Sequence, residues 1–525
     1  MMKTGDCRRT WIETVTLPSP SLSDNTADQE RLVGVLQKRL GCPNVILDLD
    51  LVAILPAMLR QWDHALRCAL IRDRDTWHVC GLSGMTDPQP LCGLAIDLGT
   101  TRIVLSLLDL ESGQVLQEDA FDNPQGVIGP DVLTRVHYVD EEDGLTHLNR
   151  LVIDGINDMI AVLCQRAAIG RDRIVLLALA GNTTMTHLFM GLNPRWIIRE
   201  PYIPVVNRPG IPPAARLGLD VAAGARIVIF PNIGSYFGGD LIAGILYSGL
   251  DRREETALLV DVGTNAEVVL GDRNWLIACA GAAGPALESG VSRIGTTARP
   301  GAIDQVRIRG NDRRFELRTI ENAPPVGICG SGVIDLAAQL FASGMIDIQG
   351  RFVPSACGAR LVAEGDEQRL VIAAADTTAS GQALTISQVD LDSLIRSKAA
   401  MYTILETITE AVGMTPEQLS TFFVAGTFGA FIDPRSAITI GMLPDLPLDR
   451  YHSLGNSSLE GAKTVLREPE SLERVDDIRD RITYMELNVN QAFMNRFSAA
   501  KFIPHTNPGR FPSVTLPGAA NPASA

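Results

Sequence analysis

Apolar positions 32, 33, 35, 36 and 40 recur at helical spacing behind Ser23-Asp24-Asn25, and predict an amphipathic helix over Ala27 to Leu40. A short apolar run, Val45 to Leu49, then reads as a strand, Leu51 to Gln61 as a second helix, and His64 to Arg72 and Asp75 to Leu82 as two more strands. These elements make a small α+β domain spanning 21–90, behind an irregular lead-in at 1–20. Beyond it, strands alternate with helices as far as about residue 505, a pattern that calls for an α/β fold. The closing stretch, 506–525, is rich in Pro, Ala, Ser and Gly and reads as disordered.

The alternating region contains an internal echo. Leu94-Ala-Ile-Asp97-Leu-Gly99-Thr100-Thr101 recurs 164 positions later as Leu258-Leu-Val-Asp261-Val-Gly263-Thr264-Asn265. Each copy is a buried strand ending in Asp, a glycine turn and then hydroxyl or amide side chains, so that backbone N–H groups converge on one point. Such a point suits a phosphate, and Asp97 and Asp261 would reach a hydrated Mg²⁺, which takes one or two carboxylates and keeps several waters. A single Asp-x-Gly-Thr is an ordinary hairpin turn; it is the repetition that points to a site. The echo divides the region at 93–250 and 251–505.

Two further segments have ligand-loop character. Phe422-Phe423-Val424-Ala425-Gly426-Thr427-Phe428-Gly429 is a strand that breaks into glycines, where backbone can approach a base or ribose closely. Gly327-Ile-Cys329-Gly330-Ser331-Gly332 opens a helix whose free N–H groups favour an anion. Either segment alone is equally ordinary turn chemistry, and Cys329 reads as a small buried filler.

In this order, the two Asp-Gly-Thr hairpins and the Ala425-Gly426-Thr427-Phe428-Gly429 strand resemble the phosphate and adenosine motifs of the actin-like ATPase superfamily, which includes sugar kinases and heat-shock chaperones. The resemblance implies two ribonuclease-H-like halves with the nucleotide between them. It makes Asp240, in Gly238-Gly239-Asp240-Leu, the acidic residue that orients the attacking water or the metal shell, with helix capping as the alternative. Lys398 and Arg396, on the helical run Asp390 to Val412, would contact the adenine, or else be solvated charges.

Several segments are similar to one branch of that superfamily, the reductive activators of corrinoid proteins. They are Gly181-Asn182-Thr183-Thr184-Met185, Ala283-Gly284-Pro285-Ala286-Leu287-Glu288, Ile328-Cys329-Gly330-Ser331-Gly332, Gly441-Met-Leu-Pro444-Asp445 and Gly455-Asn456-Ser457-Ser458-Leu-Glu-Gly461-Ala462. The small domain, from Leu17 through Asp24 and Asp28 to Leu32, looks like the activators' middle domain. The resemblance implies an ATPase that drives one-electron reduction of a cobalt(II) corrinoid to cobalt(I) for a methyltransferase system. A small-molecule kinase, with Asp240 as base, and a nucleotide-responsive binding module are the competing readings.

Composition narrows the partners. A net charge of −15, from 46 Lys plus Arg against 61 Asp plus Glu, argues against nucleic acid. No long apolar run suggests a membrane span, and nine scattered cysteines without CxxC pairs fit a reducing cytoplasm. The activators pass their electron through an iron–sulfur domain, and a [2Fe–2S] cluster needs four cysteines, three of them closely spaced. Here Cys7 stands alone before Cys42 and none follows Cys357, so no cluster is expected within this chain. The expected cofactors are ATP and Mg²⁺. The expected partners are a corrinoid protein and a separate low-potential electron donor such as a ferredoxin, with a homodimer left open.

Overall fold

The structure, a computed structural model, describes residues 10–263, 266–281, 293–310, 312–365, 367–426, 432–487 and 491–517, without the side chains of 491–494. Thr264, Asn265, Thr427, Gly429 and the segment 283–288 lie outside the described residues. The chain forms two compact units, one of residues 1–249 and 457–481, the other of 250–456 and 482–525.

The first unit begins with a small α+β domain: β1 (Ile12–Thr16), α1 (Asp28–Leu40), β2 (Val45–Leu47), α2 (Leu49–Gln61), β3 (Ala65–Asp73) and β4 (Thr76–Gly84). Its sheet runs β1-β3-β4-β2, and one face of each helix supplies the core, through Leu32 and Leu36 of α1 and Leu51, Leu55 and Leu59 of α2. The lead-in expected to be irregular thus contains a paired strand. Trp11 explains it: the indole is buried and its Nε1 donates to Val465 O at 3.0 Å, which anchors the chain before β1.

The same unit continues with β5 (Cys92–Leu98), β6 (Arg102–Asp109), β7 (Val115–Asp122), α3 (Val132–Tyr138), α4 (Gly144–Ala167), β8 (Ile174–Gly181), α5 (Thr183–Phe189), β9 (Arg226–Ile229) and α6 (Gly239–Ser248). The sheet order is β7-β6-β5-β8-β9; β5, β6 and β7 form an antiparallel meander, and β8 and β9 join parallel on the other side of β5. All eight residues of β8 are buried, as a strand covered on both faces requires.

The second unit repeats this order. From β10 (Ala257–Val262), β11 (Ala266–Gly271) and β12 (Leu276–Gly281) the chain passes through β13 (Ala302–Arg309), β14 (Arg314–Thr319), β15 (Gly327–Ile328), α7 (Gly330–Ala342), β16 (Leu361–Glu364), β17 (Glu367–Ala373), β18 (Leu384–Ser387) and α8 (Gln388–Ala411) to β19 (Thr421–Ala425) and β20 (Tyr451–Gly455). It then contributes α9 (Ser457–Arg467) and α10 (Ser471–Arg481) to the first unit, and returns as β21 (Ile482–Tyr484). The second large sheet runs β20-β19-β10-β11-β12-β21. Without the added β21, both sheets have a three-stranded antiparallel meander with two parallel strands beyond its first strand. The sequence echo is therefore a topological one.

Two sequence boundaries move. The division at 251–505 misses α9 and α10, which pack in the first unit: a Cβ on Gly461 would lie 2.2 Å from Ala243 O, so α9 crosses α6 at a distance only glycine permits. The described part of the tail, 506–517, is also ordered where it was expected to be disordered. Phe511 is buried, and Ser513 donates to Asp445 through N at 2.7 Å and Oγ at 2.8 Å. Among the described residues no helix is long and apolar enough to cross a membrane.

Candidate active site

In the first unit the site is built at the C-terminal tip of β5. Asp97 is paired with Val104 on β6 and Ala180 on β8, and Gly99 then turns the chain so tightly that a Cβ there would fall 2.3 Å from Arg102 O. Two side chains hold the turn by its carbonyls. Asn123 Nδ2 donates to Gly99 O at 2.9 Å, and Arg135 Nη2 donates to Thr100 O at 2.8 Å. Arg135 is buried, also bonds Gly129 O and Gln125 Oε1, and burial pushes its guanidinium down to about 10. It remains a cation at neutral pH, placing positive charge behind a turn that would receive a phosphate. Thr101 is exposed at the tip.

Asp240 lies in the first turn of α6. It is not the N-cap: that position is Gly238, and Asp240 Oδ1 accepts from Leu241 N at 2.9 Å. Its carboxyl is pushed up to about 6, first by burial and further by the charge on Asp97, against the amide of Leu241 that lowers it. Two carboxylates close enough to perturb each other in a desolvated place form an acid–base candidate. Asp97 is in turn oriented by Ser458, the second residue of α9, whose Oγ donates to Asp97 Oδ1 at 2.8 Å. These hard oxygens, two of them carboxylates close enough to repel each other, fit a hydrated Mg²⁺.

In the second unit, Asp261 ends β10 in the equivalent place. It pairs with Glu267 on β11 and Ala425 on β19, as Asp97 pairs with Val104 and Ala180. Gly426 follows with φ +84°, and a Cβ there would meet Asp261 Oδ1 at 2.7 Å, so β19 breaks against the carboxylate of its neighbour. Gly263 is described; Thr264, Asn265, Thr427 and Gly429 are not.

The Gly/Ser loop opens a helix as expected, with α7 starting at Gly330 and Cys329 as its N-cap residue. Gly332 has a packing reason for being glycine: a Cβ there would be 2.2 Å from Ile303 O on β13. Cys329 is buried, its Sγ 3.3 Å from both Ile303 O and Ser331 Oγ. Gly330 and Ser331 therefore begin a helix held firmly on its sheet.

Lys398 must be corrected. Its amine is buried and donates to Phe502 O and to Pro504 O, the latter at 2.8 Å, and burial holds it well below the usual lysine range. It fastens the C-terminal segment to α8 and is not available to an adenine. Arg396, on the same helix, is exposed.

Sequence reasoning missed Asn123, Arg135 and Ser458 as site residues. Ser458 stood in a quoted motif without a role, whereas a buried Arg135 has no sequence signal that separates it from a solvated arginine. The described cysteines form no cluster: among the described residues no group of three His, Cys, Asp or Glu could hold a metal. Burial pushes the thiols of Cys68, Cys80, Cys92 and Cys279 up to about 12, so they stay protonated.

Comparison with known proteins agrees along the described chain. Residues 255–515 match the family described as the C-terminal domain of RACo, the ASKHA domain, residues 92–253 match the RACo middle region, and residues 9–85 match the RACo linker region. The small α+β domain is thus similar to the linker, and the likeness to a middle domain belongs to the sheet that follows it. The solved structure of a reductive activator for corrinoid, iron–sulfur protein is 36% identical, with a TM-score of 0.85 over 98% of this chain and 82% of that one. The corrinoid activation enzyme RamQ of Eubacterium limosum is 29% identical over 78% of this chain and 70% of its own. A [Co(II) methylated amine-specific corrinoid protein] reductase of Methanosarcina barkeri is 27% identical over 77% and 75% respectively. With an actin-like α/β fold repeated in two sheets, this chain belongs to the family of reductive activators of corrinoid proteins.

Proposed function

We propose that the protein hydrolyses ATP, with Mg²⁺, to return a corrinoid protein from cobalt(II) to cobalt(I), taking one electron from a separate low-potential donor such as a ferredoxin. The observation that carries the nucleotide reading is the pair of sheets with one strand order, each ending its central strand in an aspartate at the same register beside a glycine turn. The corrinoid substrate is inferred from the activities named for the relatives.

Each part of the site has a task. The backbone of Gly99 and Thr100, held from behind by Asn123 and Arg135, takes phosphate oxygens. Gly263, Gly330, Ser331 and Gly426 are the corresponding nucleotide contacts of the second unit. Asp97, oriented by Ser458, would hold the water shell of a metal from the first unit, and Asp261 is the matching carboxylate of the second. Magnesium supplies charge neutralisation on the phosphates when bound. Asp240, ionised above about pH 6, orients the attacking water and accepts its proton. Water and ATP give ADP and phosphate, and the corrinoid cobalt gains the electron that the donor loses.

Coupling requires that ATP and the corrinoid protein prefer the same conformation. A 10⁴-fold preference is worth about 5.5 kcal/mol, or roughly 240 mV for one electron, a useful scale for an uphill reduction. The test is ATP hydrolysis by the purified protein with and without a cobalt(II) corrinoid protein. Stimulation is expected, because coupling between two ligands is reciprocal; an ATPase rate indifferent to every corrinoid partner overturns the reading.

A further inference from the structure

β8 ends at Gly181, beside the first Asp-Gly-Thr hairpin: a Cβ on Gly181 would lie 2.9 Å from Leu98 Cβ and 3.0 Å from Leu98 O. The next residue, Asn182, is in extended conformation and caps α5, its Oδ1 accepting from Met185 N at 2.9 Å. That bond fixes which way the amide faces. The acceptor is committed to the helix, so Nδ2 points to the hairpin, where it donates to Thr100 Oγ1 at 3.0 Å.

Asn182 also sets the distance to the second catalytic element. A Cβ on Gly238 would be 2.5 Å from Asn182 Cα and 2.6 Å from Asp240 Oδ1, so the backbone at Asn182 and the head of α6 meet at a contact only glycine allows. The neighbouring Thr183 Oγ1 donates to Gly234 O at 3.2 Å, in the loop that leads to Asp240. One short segment thus touches both the phosphate hairpin and the Asp240 loop. In register Gly181 is the counterpart of Gly426: Ala180 pairs with Asp97 as Ala425 pairs with Asp261.

We propose that Asn182 is a positioning residue for nucleotide binding, which holds the Thr100 hydroxyl as a donor toward the phosphates and keeps the hairpin in register with Asp240. A hydroxyl has one hydrogen and two acceptor sites. Because Thr100 Oγ1 accepts from Asn182, its own hydrogen is directed away from Asn182 and remains available for an anion. The inference rests on the reading of this hairpin as a phosphate site.

The variant Asn182→Ser separates the two roles of the side chain, since serine caps a helix about as well as asparagine but is too short to reach Thr100. ATP affinity, measured by calorimetry on the full chain with Mg²⁺, should fall about fivefold, with kcat within about twofold and an unchanged melting temperature. In a Thr100→Val background the same substitution should change affinity less than about twofold, because the bond is already gone. Asn182→Asp also keeps the cap, but presents a carboxylate to the hairpin and should weaken ATP more than about tenfold. Parent-like affinity in Asn182→Ser, or effects that simply add to those of Thr100→Val, would show a cap and nothing more. If the parent itself binds no ATP, the phosphate reading falls and this proposal falls with it.

Discussion

Ser458 Oγ donates to Asp97 Oδ1 at 2.8 Å, across 361 positions of the chain, because α9 returns to the first unit and presents its first turn to the tip of β5. A hydrogen bond to an ionised group is worth about 1.5–3 kcal/mol when both partners are shielded. Ser458→Ala should therefore release Asp97 from its orientation and lower kcat about tenfold, with a melting point lower by about 3–10 °C. Steady-state kinetics beside a thermal melt make the comparison. A large loss of stability with normal turnover would move Ser458 from the site to the core.

Asp240 predicts opposite effects on activity and stability. Its carboxyl is raised from 3.8 to about 6, so between these values the folded protein holds a proton that the unfolded chain has released. Stability from this group falls as pH rises through that window and stays lower above it, a cost of order 2–3 kcal/mol at neutral pH. Asp240→Asn, which can still accept from Leu241 N, should raise the melting temperature at pH 7.5 while lowering ATP turnover about 100-fold or more. In the parent, turnover should climb with pH through about 6, and the variant should lack that limb. A helix cap would behave in reverse, losing about 1 kcal/mol of stability and leaving turnover unchanged.

What could be read beforehand depended on how local the cause was. The turn at Asp97 was legible because strand, glycine and hydroxyl residues lie side by side, and its echo at Asp261 predicted two similar sheet halves, which share one strand order. Helices α1 and α2 were legible from apolar spacing, to within two residues. The lead-in and tail were misread because each is ordered by a single aromatic, Trp11 or Phe511, and composition averages such anchors away. Lys398 was misread for a related reason: its partners, the carbonyls of Phe502 and Pro504, are over 100 residues distant, and backbone acceptors leave no mark in a sequence. Nothing in the periodicity of α9 says which unit it packs in.

That packing gives a third prediction. Gly461 meets Ala243 O where a Cβ would be only 2.2 Å away, and the atom it would strike is backbone, which cannot swing aside as a flexible side chain can. Gly461→Val should cost about 3 kcal/mol or more by forcing α9 off α6. Because α9 carries Ser458, turnover should fall as well, even well below the melting temperature. Urea denaturation and kinetics at low temperature separate the two losses; a neutral Gly461→Val would mean that the helices are not held this closely.

Lys398→Met tests the correction made above. The substitution keeps the aliphatic body of the side chain but leaves the buried carbonyls of Phe502 and Pro504 without their donor, at about 2–4 kcal/mol. The C-terminal segment should become sensitive to limited proteolysis. ATP affinity should stay within about twofold of the parent, and a tenfold loss in a stably folded variant would return Lys398 to the nucleotide site.

The electron source provides the last prediction. Relatives of this chain include an activator whose named partner is a corrinoid, iron–sulfur protein, yet among the described residues the cysteines join no group of three metal-binding side chains, all but the half-buried Cys42 are buried, and burial keeps the thiols of Cys68 in β3, Cys80 in β4, Cys92 in β5 and Cys279 in β12 protonated. A four-thiolate cluster needs ligands that can ionise and converge on one point. The purified 525-residue chain should therefore be colourless and contain no stoichiometric iron or acid-labile sulfide. With ATP and a cobalt(II) corrinoid protein, cobalt(I) should accumulate, seen by its absorbance, only after a low-potential ferredoxin or an equivalent reductant is added. In the proposed function the nucleotide supplies a conformational bias and no electron, so omission of either ATP or donor should abolish the reduction. The two requirements fail separately. Iron bound in stoichiometric amount would show that the cysteines have been misread; cobalt(I) formed with donor alone, at the rate seen with ATP, would show that hydrolysis is not coupled to the transfer.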